Sequence, residues 1–179
     1  MSTPPTFSSG QVLTSSAMNS VGLWLVKTQT VGTAEASVTV SNAFSADYDN
    51  YLITLNGGTV STDASMTLVL GASETGYYGF MNYGTVGTNT ALGVGRDNTS
   101  SAVWIGGGAS GQMCHVRVEV IGPFKTAYTK LLNSSYQNGL NYGTMQGEHR
   151  VSASYTGFTL SPDAGTITGG TIRVYGYRN

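Results

Sequence analysis

The chain has 179 residues, with 8 Lys and Arg against 9 Asp and Glu, a formal charge of −1 and 9% charged side chains, where an average soluble domain carries roughly a quarter. That length suits one domain with a short appendage and can bury a real core, and no Lys or Arg cluster exists to collect phosphates, which argues against DNA or RNA as a partner. No run reaches the roughly 18 apolar residues of a membrane span, and the lone Cys114 excludes an internal disulfide and a cysteine zinc cluster.

The first residues lack the basic start and apolar run of a secretory signal, so synthesis without export is expected. Pro4 and Pro5 open an extended arm, and Thr14 followed by SSAMNSVG reads as an N-cap and one small helix ending at Gly22. Beyond it the chain reads in period two, or in short β-branched runs bounded by Gly, Asn, Asp and Ser. Strands are predicted at SVTV (37–40), YLITL (51–55), SMTLVLG (65–71), GYYGFMNYG (76–84), AVWI (102–105) and QMCHVRVEVI (112–121). Four more follow at AYTKLLN (127–133), EHRVSAS (148–154), GFTLSP (157–162) and TIRVYGY (171–177). In the 112–121 strand Cys114, Val116, Val118 and Val120 share one face, and His115, Arg117 and Glu119 the other, so one face is core and one polar. In the last strand Ile172 and Val174 face one way, and Thr171, Arg173, Tyr175 and Tyr177 the other.

The segments 85–101 and 134–147 carry little apolar content and read as long loops at a contact surface. With no helix between strands, a βαβ order is excluded. The expected fold is all-β, an antiparallel β-sandwich of the jelly-roll kind over 33–179, preceded by an N-terminal arm over 1–32.

Residue patterns that could carry chemistry are weak. Gly106, Gly108 and Gly111 match GxGxxG, but a strand follows them where a dinucleotide site needs a helix N-terminus, so a flexible hairpin loop is the better reading. Cys114 and His115 point to opposite faces and cannot pair as nucleophile and base; a small buried cysteine is expected, with His115 and His149 at the surface or an interface. Asp47, Asp49, Asp97 with Asn98, and Asp163 suit turn capping better than calcium ligation, and no metal or cofactor is expected. No GxSxG elbow is present, and nothing local singles out a Ser, His and acid set.

Tyrosine is the strongest non-catalytic signal, since it joins apolar area to a polar tip at small entropic cost. Tyr51, Tyr155 and Tyr175 suit the core, although period two also puts Tyr175 beside Tyr177 on a face expected to meet another subunit. Tyr136 and Tyr142 share one predicted loop and are candidate receptor or glycan contacts.

Two runs carry a resemblance. TFSSGQVLTSSAMNSVGLW at 6–24 resembles the F-x-x-G-x-V-L-T-A-x-x-M-N start of virion structural proteins of tailed bacteriophages, including minor tail and fibre-like proteins. SYTGFTLSPDAGTITGGTIRVYGYRN at 154–179 is similar to the last strands of that group, and SVTVSNAFSADYDNYLITLNG is also family-like. Ser15 stands where the family often has Ala, which leaves the N-cap intact.

The resemblance implies a non-enzymatic β-sandwich subunit, a homotrimer or part of a larger symmetric ring, assembled in the host cytoplasm and anchored in the virion by its arm. Phe7, Val12, Leu13, Met18, Val21 and Trp24 are the expected attachment residues, with tail or major capsid subunits as partners. Tyr175, Tyr177 and Arg178 are expected at a subunit contact. The alternatives are a capsid decoration protein clamping the shell and a module that binds host-surface glycan.

Overall fold

A computed structural model describes residues 9, 10, 12 and 22–177, apart from the side chain of Ser134. The small helix expected from Thr14, and the arm residues Phe7, Leu13, Met18 and Val21, lie outside the described residues, as does Arg178. Within them the chain is all-β. The strands are β1 (Trp24–Thr30), β2 (Val38–Val40), β3 (Asn50–Val60), β4 (Ala64–Leu70), β5 (Tyr77–Thr85), β6 (Thr90–Thr99), β7 (Gly106–Gly108), β8 (Met113–Ile121), β9 (Ala127–Asn138), β10 (Asn141–Ala153), β11 (Phe158–Pro162), β12 (Ile167–Thr168) and β13 (Thr171–Tyr177).

Every named strand pair is antiparallel. A long sheet runs β1-β13-β3-β8-β9-β10-β5-β6. A shorter one runs β2-β11-β4-β7, and β7 joins it to β8. One edge of β8 therefore serves two neighbours: Val116 and His115 pair with Gly106 and Gly107 of β7, while residues 118–121 pair with β9. Ile53, Leu55, Val116, Val118, Ile172 and Val174 of the long sheet share one buried cluster with Val40, Met66, Leu68, Leu70, Phe158 and Leu160 of the short one. Alternation builds that cluster. Along β8, buried Cys114, Val116, Val118 and Val120 alternate with less buried neighbours, and β13 repeats the pattern with Ile172 and Val174.

Four expectations are corrected here. AVWI is not a strand: Trp104 sits at φ +65, outside extended space for a bulky side chain, and Ala102 makes only an isolated bridge with Leu68. GGGASG is no flexible loop. Its first three glycines are buried as β7, and a Cβ on Gly107 would stand 2.0 Å from the Gln137 carbonyl oxygen. The two supposed loops are strands as well: β5 and β6 form one hairpin across 85–90, and β9 and β10 form another that turns at Gly139, φ +54. Finally, Trp24 belongs to a strand paired with Gly176, so residues 24–30 are hydrogen-bonded into the long sheet.

Candidate functional site

The outer face of the long sheet, opposite the shared core, carries three of the candidate contact residues, Tyr142, Tyr175 and Tyr177. Strand register sets Phe80, Gln146, Leu132, Glu119, Leu52, Tyr175 and Leu25 in one line across β5, β10, β9, β8, β3, β13 and β1. An outward sheet face is ordinarily polar, yet Phe80, Leu132 and Leu25 are exposed here. Tyr175 and Tyr177 stand on this face as expected, alternating with buried Ile172 and Val174. Tyr177 lines an open depression with Leu23, Leu52, Arg117 and Glu119, and burial, aided by the Glu119 charge, pushes its phenol up.

Next to that depression, a cavity of about 340 Å³ is lined by Leu52, Arg117, Glu119, Leu132 and Gln146 among others. Further along the same face Glu148 pairs with Lys130 and, at 2.5 Å, with Arg150, whose guanidinium lies 4.2 Å from the Tyr78 ring centre. Hydrogen bonds from both cations hold the Glu148 carboxyl below the usual range. Arg117, Glu119 and Arg173 make no ion pair among the described residues.

The two tyrosines expected at a ligand surface separate. Tyr142 is half exposed and within 3.2 Å of the Gln137 amide, which donates to its hydroxyl. Tyr136 is a correction: it is only 5% exposed, with its hydroxyl 3.1 Å from Ser65 Oγ, because Tyr136 takes the inward side of β9. Val12 is exposed, and Trp24 is partly buried, its indole Nε1 enclosed without a hydrogen-bond partner.

Polar chemistry in the interior centres on the histidines. His149 is fully buried, not at a surface, and its Nε2 lies 2.9 Å from Ser73 Oγ and 3.0 Å from the Thr75 carbonyl oxygen. Tyr77 packs on the ring at 4.2 Å and Tyr155 at 5.4 Å, and burial pulls the imidazole down. Its Nδ1 is buried with no partner, so the carboxylate that orients a Ser–His pair is missing from behind the ring. His115 makes a second such contact, 2.8 Å to Ser135 Oγ. Cys114 is buried as expected, and desolvation pushes its thiol up to about 12, which keeps it from thiolate chemistry.

Two of the acids serve the backbone and others pair with cations. Asp163 accepts from the Ser65 amide at 2.8 Å, Asp63 from the Ser110 amide at 2.7 Å, and Asp49 pairs with Lys125. No three His, Cys, Asp or Glu side chains converge on a point among the described residues.

No family model matches the chain, and no curated protein matches it. Among solved structures, a match titled structure of infectious bursal disease virus Gx strain covers 83% of this chain and 40% of that one, at 12% identity. Its TM-score of 0.14 is far below that of a shared fold, so the likeness carries no argument.

Reading the sequence set 85–101 and 134–147 at a contact surface but missed that they belong to two hairpins with exposed apolar residues. Residues 75–95 and 131–147 contain no Asp, Glu, Lys or Arg, and they present Phe80, Val86, Leu92, Leu140 and Tyr142 to the outside. The tips touch, the Val86 amide donating to the Leu140 carbonyl at 2.9 Å. Asn138-Gly139 between two polar, Tyr-containing runs was the hairpin signal available.

Proposed function

We propose that the chain is a non-enzymatic structural subunit of a tailed-phage virion, a tail-associated or fibre-like module that joins its particle through the N-terminal arm. The observation that carries this reading is the pair of charge-free, apolar-studded hairpins, 75–95 and 131–147. Surfaces without charge meet protein neighbours without stranding unpaired ions, and large exposed apolar areas mark such contacts. The resemblance at 6–24 and 154–179 points the same way. In this reading the two sheets make a jelly-roll-like sandwich that projects outward, assembly takes place in the host cytoplasm, and copies of the chain associate symmetrically as a trimer or ring.

Immunogold labelling of the intact particle tests the assignment. Label at the tail supports it; label over the shell transfers the same subunit to capsid decoration; and no label on particles that carry the gene overturns a virion role. Glycan binding is tested by Tyr142→Ala, because Tyr142 presents its ring to solvent while Tyr136 does not. Wild-type adsorption by that variant removes Tyr142 from any glycan contact.

A further inference from the structure

The long sheet ends on two edges and the short sheet on one, and the three are treated differently. Sheet edges offer unpaired N–H and C=O groups to any passing strand, and proteins ordinarily blunt them. At β2 the edge is three residues long. At β1 the ladder breaks at a bulge between Leu25 and Lys27, which also places a lysine on the edge. β6 has neither device along most of its length: it runs ten residues, pairs in unbroken register with β5 from Arg96 to Thr90, and contains no proline or lysine. Its other side has no partner strand among the described residues.

A second observation falls in the same place. Of the eleven large apolar side chains exposed among the described residues, six (Phe80, Val86, Leu92, Leu132, Leu140 and Tyr142) lie in the charge-free parts of the two hairpins. The charge-free runs 75–95 and 131–147 surround them.

We propose that β6 is a homotypic contact, pairing antiparallel with β6 of a second copy about a two-fold axis so that the long sheets of two subunits become one. The inference rests on the self-association in the proposed function but not on its trimer, because a two-fold contact gives a dimer or an even assembly built from dimers. Charge chooses the occupant. When identical surfaces meet about a two-fold, any strong charge on them meets its own copy or a near neighbour, and like charges opposite one another oppose pairing. From Thr90 to Gly95 the strand has none to oppose it, and Arg96 and Asp97 beyond are adjacent and opposite in sign. An acidic or basic partner would find no complement here. An identical strand needs none, because the ladder supplies its own donors and acceptors.

The test uses the full chain. Sedimentation over a concentration series is expected to show monomer passing to dimer or a higher even state, since a sheet-edge contact is narrow. Leu92→Lys, at a position already 45% exposed, should raise the dissociation constant tenfold or more with circular dichroism and thermal unfolding unchanged; Ala91→Lys is the second variant should the first fold poorly. Cysteines placed singly at Thr90, Ala91, Leu92 and Asp97 should give oxidised dimers that peak at one position and fall away on either side, Cys114 being buried and silent. Monomer at every concentration overturns the proposal, and so does a dimer indifferent to both lysine variants with no β6 cross-link. In either case the labelling of particles still decides the virion role separately.

Discussion

His149 sits between Tyr77 and Tyr155 with one ring nitrogen satisfied and the other, Nδ1, without a partner. A neutral imidazole tolerates that arrangement at modest expense; an imidazolium would carry an unpaired N–H and a buried charge. Burial accordingly lowers its pKa, with the Thr75 carbonyl opposing. The consequence for stability has a definite sign. Unfolded, the imidazole titrates near 6.5, so below about that pH the unfolded chain binds more protons than the native one, and stability falls until the depressed native value is passed. Glu148 titrates in a separate, more acidic window, since Lys130 and Arg150 lower its pKa; its contribution is lost below about 4.3 and is small on an exposed surface. We expect the melting temperature to drop between pH 7 and pH 5, and His149→Gln to flatten that drop while losing about 1 to 3 kcal/mol at pH 7 as Ser73 and Thr75 give up their partner. Identical slopes in the two proteins would assign the acid sensitivity elsewhere.

At the scale of elements, β7 shows where backbone approach rather than side-chain burial dictates a residue. The three glycines let β7 reach both β4 and β8. A Cβ on Gly106 would lie 2.2 Å from the His115 carbonyl oxygen, and one on Gly107 would lie 2.0 Å and 2.4 Å from those of Gln137 and Ala64. These are backbone atoms of neighbouring strands and have nowhere to go. Gly107→Ala is therefore expected to destabilise by about 3 kcal/mol or more, while Gly111→Ala, at φ +68 with open space around it, should cost only about 1 to 2 kcal/mol. Urea midpoints compare the two, and equal losses would mean that β7 relaxes away from its neighbours. The same element explains what was legible. β8 and β13 announce themselves because one face is core and the other is not, so Val116, Val118, Ile172 and Val174 mark period two in the sequence. β6 is exposed at almost every residue, so TALGVGRDNT has no buried face to write into its composition. Among the described residues, the extensions of β9 and β10 bury only Tyr136 and Met145, set among Ser, Asn, Gln and Gly, too few apolar side chains to write period two into the sequence. AVWI has strand composition, but Asn133 Nδ2 donates to the Trp104 carbonyl at 2.7 Å and fixes a left-handed residue that no local pattern reveals.

Across the whole molecule, the boundary between arm and domain turns on β1. Local composition assigns WLVKTQT to the arm, because its partner is found only through a pairing some 145 residues away, Thr28 with Arg173 and Thr30 with Thr171. Long-range pairing of this kind is invisible to windows of neighbouring residues, and it sets the order of the sheet. It covers the edge of β13, while Val26 packs against the core from the same strand. Two truncations separate the roles of what precedes and what forms β1. A chain starting at Gly22 keeps every pairing of the long sheet and is expected to melt with the full protein, yet to stay off particles if the arm is the anchor. A chain starting at Val31 loses β1, bares the six residues of β13 that pair with it, 171–176, to pairing with other chains, and removes the Val26 contact. It is expected to melt several degrees lower, since each kcal/mol lost shifts a domain of this size by about 2 to 4 °C, and to aggregate on standing. Were the Val31 chain as stable and as soluble as the Gly22 chain, β1 would be part of the arm in function as well as in composition, and the domain would begin after residue 30.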